Sequence, residues 1–262
     1  MAKKNSYDIL FESLVDQFAT IPNLAEAYKD DKGKSIQDFI TLRISEINSF
    51  KSLFLNYYLP AAAKSAVDNK RAYEQSKYKH LINISAEDFK ENLYETIRLG
   101  YIGMFHKYEN FIDELIDKSE LIIEDTNDNP ITIDKFTQKT FGYEIKSWRN
   151  SKTIKRINWI SNCNKHYDGY PKKNYKPAEF EHLDETIKLK LTKQEFQNDI
   201  ELLIEHYKMT LSIVLCLALY KMMFADEFEE YVLESPEYEQ MEKHKKQMEE
   251  QIYKLIEGTK EF

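Results

Sequence analysis

Two segments of the chain repeat apolar residues every three or four positions over many turns, and this repetition decides the fold class. The repeated residues are Phe89, Leu93, Ile97, Tyr101, Met104, Tyr108, Phe111 and Leu115 in the first segment, and Phe196, Ile200, Leu203, Tyr207, Leu211, Val214 and Ala218 in the second. Residues three and four apart lie on one face of an α-helix. The pattern therefore predicts two long helices, each with an apolar face turned to a core.

Both long helices have a well-marked start. Ser85 precedes Asp88 by three residues and Thr192 precedes Glu195 by three, and each pair is flanked by apolar residues. This spacing is typical of a capping box with a hydrophobic staple, in which the side chains satisfy the first free amides of the helix. We expect the first long helix to run from Ser85 to about residue 117, and the second to begin at Thr192.

The rest of the chain offers few residues that make tight turns. It has only 6 Gly and 6 Pro in 262 residues, too few for a sandwich, a barrel or a Gly-looped nucleotide fold. A shorter helix with an isoleucine stripe is predicted between the long ones, and small strands are predicted around the turn cluster 125–130 and at 187–191, where apolar and basic residues alternate. The sequence thus predicts an all-α helical bundle with two long helices and a minor β element.

The same pattern suggests three parts. Residues 1–80 form an N-terminal helical segment, in which Pro60 closes or kinks a helix that begins at Ser35, and 64–80 is an exposed helix or a linker. Residues 81–225 form the bundle. Residues 226–262 carry an acidic C-terminal helix, with Glu237, Glu239, Glu242, Glu249 and Glu250, that packs on the bundle or on a partner protein.

The sequence also gives an expected location. The most apolar run, Leu211 to Phe224, is shorter than the ~18 to 20 apolar residues that span a bilayer, so no membrane contact is expected. The chain opens Met-Ala-Lys-Lys-Asn without an apolar leader and has two cysteines, Cys163 and Cys216. We expect reduced thiols in a cytoplasmic protein.

Several enzyme signatures are absent from the sequence. It contains no phosphate-cradling glycine loop, no Cys-x-x-Cys pair, no His-Glu-x-x-His and no nucleophile elbow. The acidic pairs Glu109 with Asp113 and Glu201 with Glu205 lack the paired Glu-x-x-His spacing of a two-metal bundle, so solvated charges are the better interpretation. We expect neither a metal nor a cofactor.

The charge of the chain is strongly segregated. The net charge is −8, yet residues 145–176 contain nine basic residues and one acid, Asp168. Aromatic residues lie between the cations, and such side chains stack on unpaired bases while cations hold phosphates. The RNA-binding candidates are Arg149, Lys152, Lys155, Lys165, Tyr167, Tyr170, Lys172 and Lys173. The alternative is an exposed basic loop that pairs with the acidic remainder of the chain.

Within this stretch, Asn162 and His166 are four residues apart and would be neighbours at the end of the isoleucine-striped helix. A neutral imidazole there could act as a base and a protonated one as an acid. A histidine at a helix C-terminus is also a common capping residue that the helix dipole stabilises.

A long helix carrying His106-Lys107-Tyr108-Glu109-Asn110, a helix with Arg156 that ends Asn162-Cys163-Asn164-Lys165-His166-Tyr167-Asp168-Gly169, and a final long helix follow one another. This layout resembles the HEPN superfamily of bacterial toxins, antiphage proteins and CRISPR-associated ribonucleases. The resemblance covers roughly residues 85–224. It implies a metal-independent ribonuclease that acts as a homodimer, with an Arg and a His of each subunit at a shared cleft.

On this resemblance, His166 would be the general acid or base, Asn162 would orient it, and Arg156 of the partner subunit or Lys165 would stabilise the phosphorane charge. The chain departs from the family pattern because nine residues separate Arg156 from His166, more than the motif has. Two alternatives follow: a catalytically inactive RNA-binding or regulatory subunit, and an interaction protein that uses the acidic C-terminal helix.

Overall fold

The computed structural model describes residues 31–81, 83–123, 132–172, 174, 176–224 and 238–258. All regular elements in these ranges are helical, which confirms the all-α class. The α-helices are α1 (Asp31–Leu53), α2 (Leu59–Gln75), α3 (Glu91–Ile123), α4 (Ile133–Phe141), α5 (Lys152–Tyr167), α6 (Lys193–Met223) and α7 (Tyr238–Gly258). Short 3-10 turns lie at Lys79–Leu81, Asp88–Lys90, Ile145–Asn150 and Ala178–Phe180.

Both predicted capping boxes are present. The Ser85 amide donates to Asp88 Oδ2 at 2.7 Å and the Asp88 amide donates to Ser85 Oγ at 3.2 Å. In the same way the Thr192 amide donates to Glu195 Oε2 at 2.8 Å, and the Glu195 amide donates to Thr192 Oγ1 at 3.1 Å. These bonds satisfy amides that have no acceptor within the helix. The first long helix continues to Ile123, beyond the expected end near residue 117.

The helical run continues through Pro60 and does not end there. A five-residue π-helix, Phe54–Tyr58, joins α1 to α2, and its last bond runs from the Leu59 amide to the Phe54 carbonyl. Proline lacks an amide hydrogen and crowds the carbonyl four residues before it. A widened turn immediately before Pro60 lets the helical run continue without the bond that proline cannot donate.

The minor β element does not occur among the described residues. Residues 121–123 belong to α3, and the turn cluster 125–130 lies outside the described part. In the segment 187–191 the Leu189 amide donates to the Gly169 carbonyl at 2.8 Å, and the Leu189 carbonyl accepts a bond from Arg98 Nη1 at 3.0 Å. The predicted strand is therefore an irregular segment. The backbone amide and carbonyl of Leu189 bond to a turn and to a side chain, whereas a β-strand would need a second strand as its partner.

The chain divides into two compact units. The first is built from the described residues of Met1–Ser45, Asn110–Ser151 and Glu205–Phe262. In its core the ring of Phe111 stacks on Tyr207 at 4.0 Å and on Phe39 at 5.9 Å between centroids. Helix α7 buries Met248, Ile252 and Ile256 within this unit. Docking of a partner protein on the acidic side of α7 stays a prediction.

The second unit, Glu46–Glu109 with Lys152–Ile204, contains the predicted catalytic residues Arg156, Asn162 and His166. Its core surrounds the first half of α3, where Gly100 lets two aromatic rings approach the backbone. A Cβ at Gly100 would lie 2.6 Å from the Phe196 ring and 2.9 Å from the Phe54 ring. Helix α5 contributes a buried face to this core, consisting of Thr153, Ile154, Ile157, Trp159, Ile160, Ser161 and Cys163.

Both cysteines are buried thiols that form no disulfide. Cys163 lies in α5 and Cys216 in α6, and burial raises the pKa of Cys216 to about 12. None of the helices in the described ranges is both long and apolar enough to cross a membrane.

Candidate nucleic-acid interface

Helix α5 has no acidic residue, although the whole chain has 45 acids against 37 bases. Lys155, Asn158, Asn162, Lys165 and His166 recur along it at spacings of three, four, three and one, which places them on one side of the helix. Their side chains are exposed or half-buried. We call this set the α5 ridge. It presents two ammonium groups, two amides and an imidazole to solvent.

The structure brings Asn162 and His166 together on the ridge, one helical turn apart. Asn162 Nδ2 donates a hydrogen bond to Asn158 Oδ1, which fixes how both amides are oriented. The His166 ring meets the Tyr167 ring edge-on at 6.4 Å between centroids. Within the described part of the chain His166 makes neither a hydrogen bond nor an ion pair, so its imidazole is available to a ligand.

Arg156 lies away from the ridge, in a cluster of carboxylates. Its Nε donates to Asp199 Oδ2 at 2.9 Å and to Asp199 Oδ1 at 3.1 Å. Its Nη1 and Nη2 lie 3.4 Å from Glu179 Oε1 and 3.7 Å from Glu195 Oε1. The guanidinium also lies over the Phe180 ring, with its Cζ 4.6 Å from the ring centroid. Arg156 is thus occupied within its own subunit.

The electrostatics of this cluster follow from its burial. Asp199 is nearly buried and also accepts a hydrogen bond from the Tyr101 hydroxyl at 2.5 Å. Desolvation raises the pKa of Asp199 despite these donors, and desolvation together with the Asp199 charge raises the pKa of Tyr101 well above its usual value. Burial opposes the charge of Arg156 and is the largest single effect, but the attraction and hydrogen bonds of Asp199, together with Tyr101 and Glu179, outweigh it and raise the pKa of Arg156.

Helix α5 is unbroken from residue 152 to 167, so Arg156 and His166 are ten residues apart on one rod. At 1.5 Å per residue their Cα atoms are separated by about 15 Å along the axis. One copy of the chain therefore does not bring Arg156 and His166 to a single phosphate.

A second group of cations lies where α5 gives way to an irregular connection. The Lys172 and Lys188 ammonium groups lie over the Tyr170 ring, at 5.2 and 5.5 Å from its centroid. Lys188 also pairs with Asp168 at 2.7 Å, and this hydrogen bond lowers the pKa of Asp168. We call Asp168, Tyr170, Lys172 and Lys188 the Tyr170 cluster.

Sequence reasoning missed Lys188, because it lies beyond the basic stretch and alternates with Ile187 and Leu189 like the polar face of a strand. It also missed Asp199, which ends in the Arg156 cluster. The signal available for Asp199 was its place on the apolar side of α6, three residues after Phe196 and directly before Ile200.

The other candidate residues are more scattered. Lys152 is exposed in the first turn of α5, and Tyr167 is 40% exposed in the last. Lys165 Nζ lies 5.7 Å from the centroid of the Phe105 ring. Lys173 and the side chain of Arg149 lie outside the described part of the structure.

The fold and this surface define an all-α protein with an acid-free basic helix face. Within the described residues, no group of three or more His, Cys, Asp or Glu is placed to hold a metal ion. Comparison with protein-family models, curated proteins and solved structures finds no significant match to the chain. The HEPN resemblance therefore stays a prediction.

Proposed function

We propose that this protein binds single-stranded RNA through the α5 ridge and the Tyr170 cluster, as a catalytically inactive subunit. The observation that carries the proposal is the absence of acids from α5 in a chain whose net charge is −8. Lysines hold the phosphates in such a complex, while the exposed face of Tyr167 offers a base a stacking surface.

The alternative without a ligand is that the cations of α5 only stabilise the helix. Cations in the last turn interact favourably with the helix dipole, and this accounts for Lys165 and His166. It does not account for Lys152 and Lys155, because the dipole disfavours cations in the first turns. Neither lysine forms an ion pair with any residue that the structure describes. A polyanionic ligand explains both ends of the helix.

The state of Arg156 supports binding over cleavage. A phosphate that recruited this guanidinium would have to take it from Asp199, which would leave a nearly buried carboxylate without its cation. Leaving such a charge uncompensated costs about 3 to 5 kcal/mol. Arg156 is therefore a poor catalytic group, either within its own subunit or at a homodimer cleft.

The test is binding of a labelled oligouridine, measured by fluorescence anisotropy over a range of salt concentrations. Lys155→Gln and Lys165→Gln should each weaken binding. Each should also make the slope of log K against log salt concentration shallower by about 0.7. Lys64→Gln, which removes another exposed lysine from α2 of the same unit, is the matched control and should change neither. Absence of salt-dependent binding in the wild type, or equal losses in all three variants, would reject the proposal.

A metal-independent ribonuclease is the second candidate, and the availability of His166 favours it. Lys165 would then supply the cation, alone or across a homodimer. The test is RNA cleavage in the presence of a chelator. Cleavage that is lost in His166→Ala and kept in His182→Ala would show that the protein is a ribonuclease and not only an RNA-binding subunit. His182 is an exposed histidine of the same unit and serves as the control. A bacterial cytoplasmic defence or toxin–antitoxin system is the setting that the HEPN resemblance implies.

A further inference from the structure

The Tyr170 cluster contains the only acid of the basic stretch 145–176, and that acid sits on a cation. The Asp168 carboxylate is 2.7 Å from Lys188 Nζ, yet the Asp168 side chain is 83% exposed. An anion thus already pairs with Lys188 at the solvent-exposed side of the cluster.

We propose that the Tyr170 cluster is a phosphate-binding subsite for RNA, and that Asp168 occupies it as an internal stand-in for the phosphate when RNA is absent. This inference rests on the proposed RNA-binding function. A nucleotide phosphate displaces the carboxylate from Lys188 and adds a contact with Lys172.

The subsite is built before any ligand arrives. The Tyr170 amide donates to the Tyr167 carbonyl at 2.9 Å and the Lys172 amide donates to the Tyr170 carbonyl at 2.8 Å, which fixes the backbone of Tyr170 after the end of α5. The bond from the Leu189 amide to Gly169 at 2.8 Å holds the segment that carries Lys188 beside it. Two separate segments therefore converge on one ring.

The exchange of anions is energetically easy. Exposed ion pairs contribute little to stability, and Asp168 returns to water when it leaves, so no buried charge remains behind. RNA phosphates are linked in a chain that the α5 ridge also holds, which raises their effective concentration at the subsite. Asp168 consequently weakens RNA binding without blocking it.

The backbone allows a clean test of this role. Asp168 has a φ of 52°, in the left-handed region that Asp and Asn tolerate better than other side chains. Asp168→Asn keeps that conformation and removes the charge. We expect it to bind oligouridine about two- to five-fold more tightly than the wild type, the range that loss of an exposed pair allows. Its slope of log K against log salt concentration should be steeper by about 0.7, because in the wild type the displaced Asp168 carboxylate takes up a cation and offsets one counterion that the RNA releases.

Two further variants decide the outcome. Glu74→Gln removes the same charge from the exposed Lys70–Glu74 pair of α2 and should leave affinity unchanged. In Asp168→Asn/Lys188→Gln the gain should disappear. Wild-type affinity in Asp168→Asn, a gain in Glu74→Gln, or a gain that persists without Lys188 would overturn the subsite while leaving RNA binding by the ridge intact. No binding by any variant would reject the proposed function itself.

Discussion

At the scale of single residues, the turn after α5 depends on a glycine that lies beneath a buried arginine. Gly169 has a φ of 83°, and a Cβ there would lie 2.9 Å from both Cδ and Nε of Arg98. Arg98 is only 4% exposed and bonds at both ends of its guanidinium, to the Leu189 carbonyl and to Glu91. It has little freedom to move aside, so Gly169 meets both a conformational and a steric requirement.

Gly142 supplies the control for this residue. Its φ is 63°, but no other atom lies within 4 Å of the position that a Cβ would take. Gly142→Ala should therefore cost only the strain of a left-handed alanine, about 1 kcal/mol. Gly169→Ala should cost that plus about 1 to 3 kcal/mol for overpacking against Arg98. Urea unfolding of the two variants measures the difference, and equal losses would show that Arg98 yields freely.

At the scale of elements, Arg156 fastens α5 to two other pieces of its unit. Through Asp199 and Glu195 it holds the start of α6, and through Glu179 and the Phe180 ring it holds the 3-10 turn Ala178–Phe180. The Phe180 ring in turn stacks on Trp159 of α5, with centroids 4.9 Å apart. The residue that the HEPN resemblance placed in catalysis thus has a clear structural role.

Replacing Arg156 should accordingly destabilise the fold. Arg156→Met leaves the three carboxylates without their common cation and should lower the free energy of unfolding by about 3 kcal/mol. Lys155→Met removes the same charge from the neighbouring exposed position and should change it by less than about 0.5 kcal/mol. Chemical denaturation of both variants is the measurement. Similar stability of the two would mean that Arg156 contributes no more than a surface cation.

Interactions between residues close in the chain were predictable from the sequence, whereas interactions between distant residues were not. Helix starts were predictable because both partners of a capping box lie within three residues, as at Ser85 and Thr192. The side shared by Asn162 and His166 was equally local. The partners of Arg156 were not predictable, since Asp199 is 43 residues away and Glu179 is 23. The prediction of a strand at 187–191 was wrong. The alternation of apolar and basic residues indicates that Leu189 and Leu191 are buried, but it does not show that a neighbouring strand exists.

At the scale of the whole molecule, two carboxyl groups whose pKa values are shifted in opposite directions make opposite contributions to the pH dependence of stability. Burial raises the pKa of Asp199 above its ordinary 3.8, so the Asp199 carboxyl binds a proton more tightly in the folded chain than in the unfolded chain. The stability it contributes is therefore fully present below pH 3.8 and is lost as the pH rises through the raised value. Asp168 behaves oppositely, because its bond to Lys188 lowers its pKa.

Comparison with asparagine variants should show both signs. As the pH falls from about 7 toward about 4, the wild type should gain stability relative to Asp199→Asn, which cannot take up the proton. Relative to Asp168→Asn, the wild type should lose stability as the pH falls through the lowered pKa of Asp168. Thermal or urea unfolding at several pH values measures both differences. A wild type that weakens relative to Asp199→Asn on acidification would contradict the assignment of Asp199.

The position of the two cysteines gives each unit its own chemical reporter. Cys163 belongs to the unit that carries the α5 ridge, Cys216 belongs to the other, and both thiols are buried. Thiol reagents attack the thiolate of an accessible cysteine, so modification of either residue must wait for its surroundings to open. The rate at which each cysteine is labelled in the native protein therefore reports the opening of the unit that contains it, without any engineered probe.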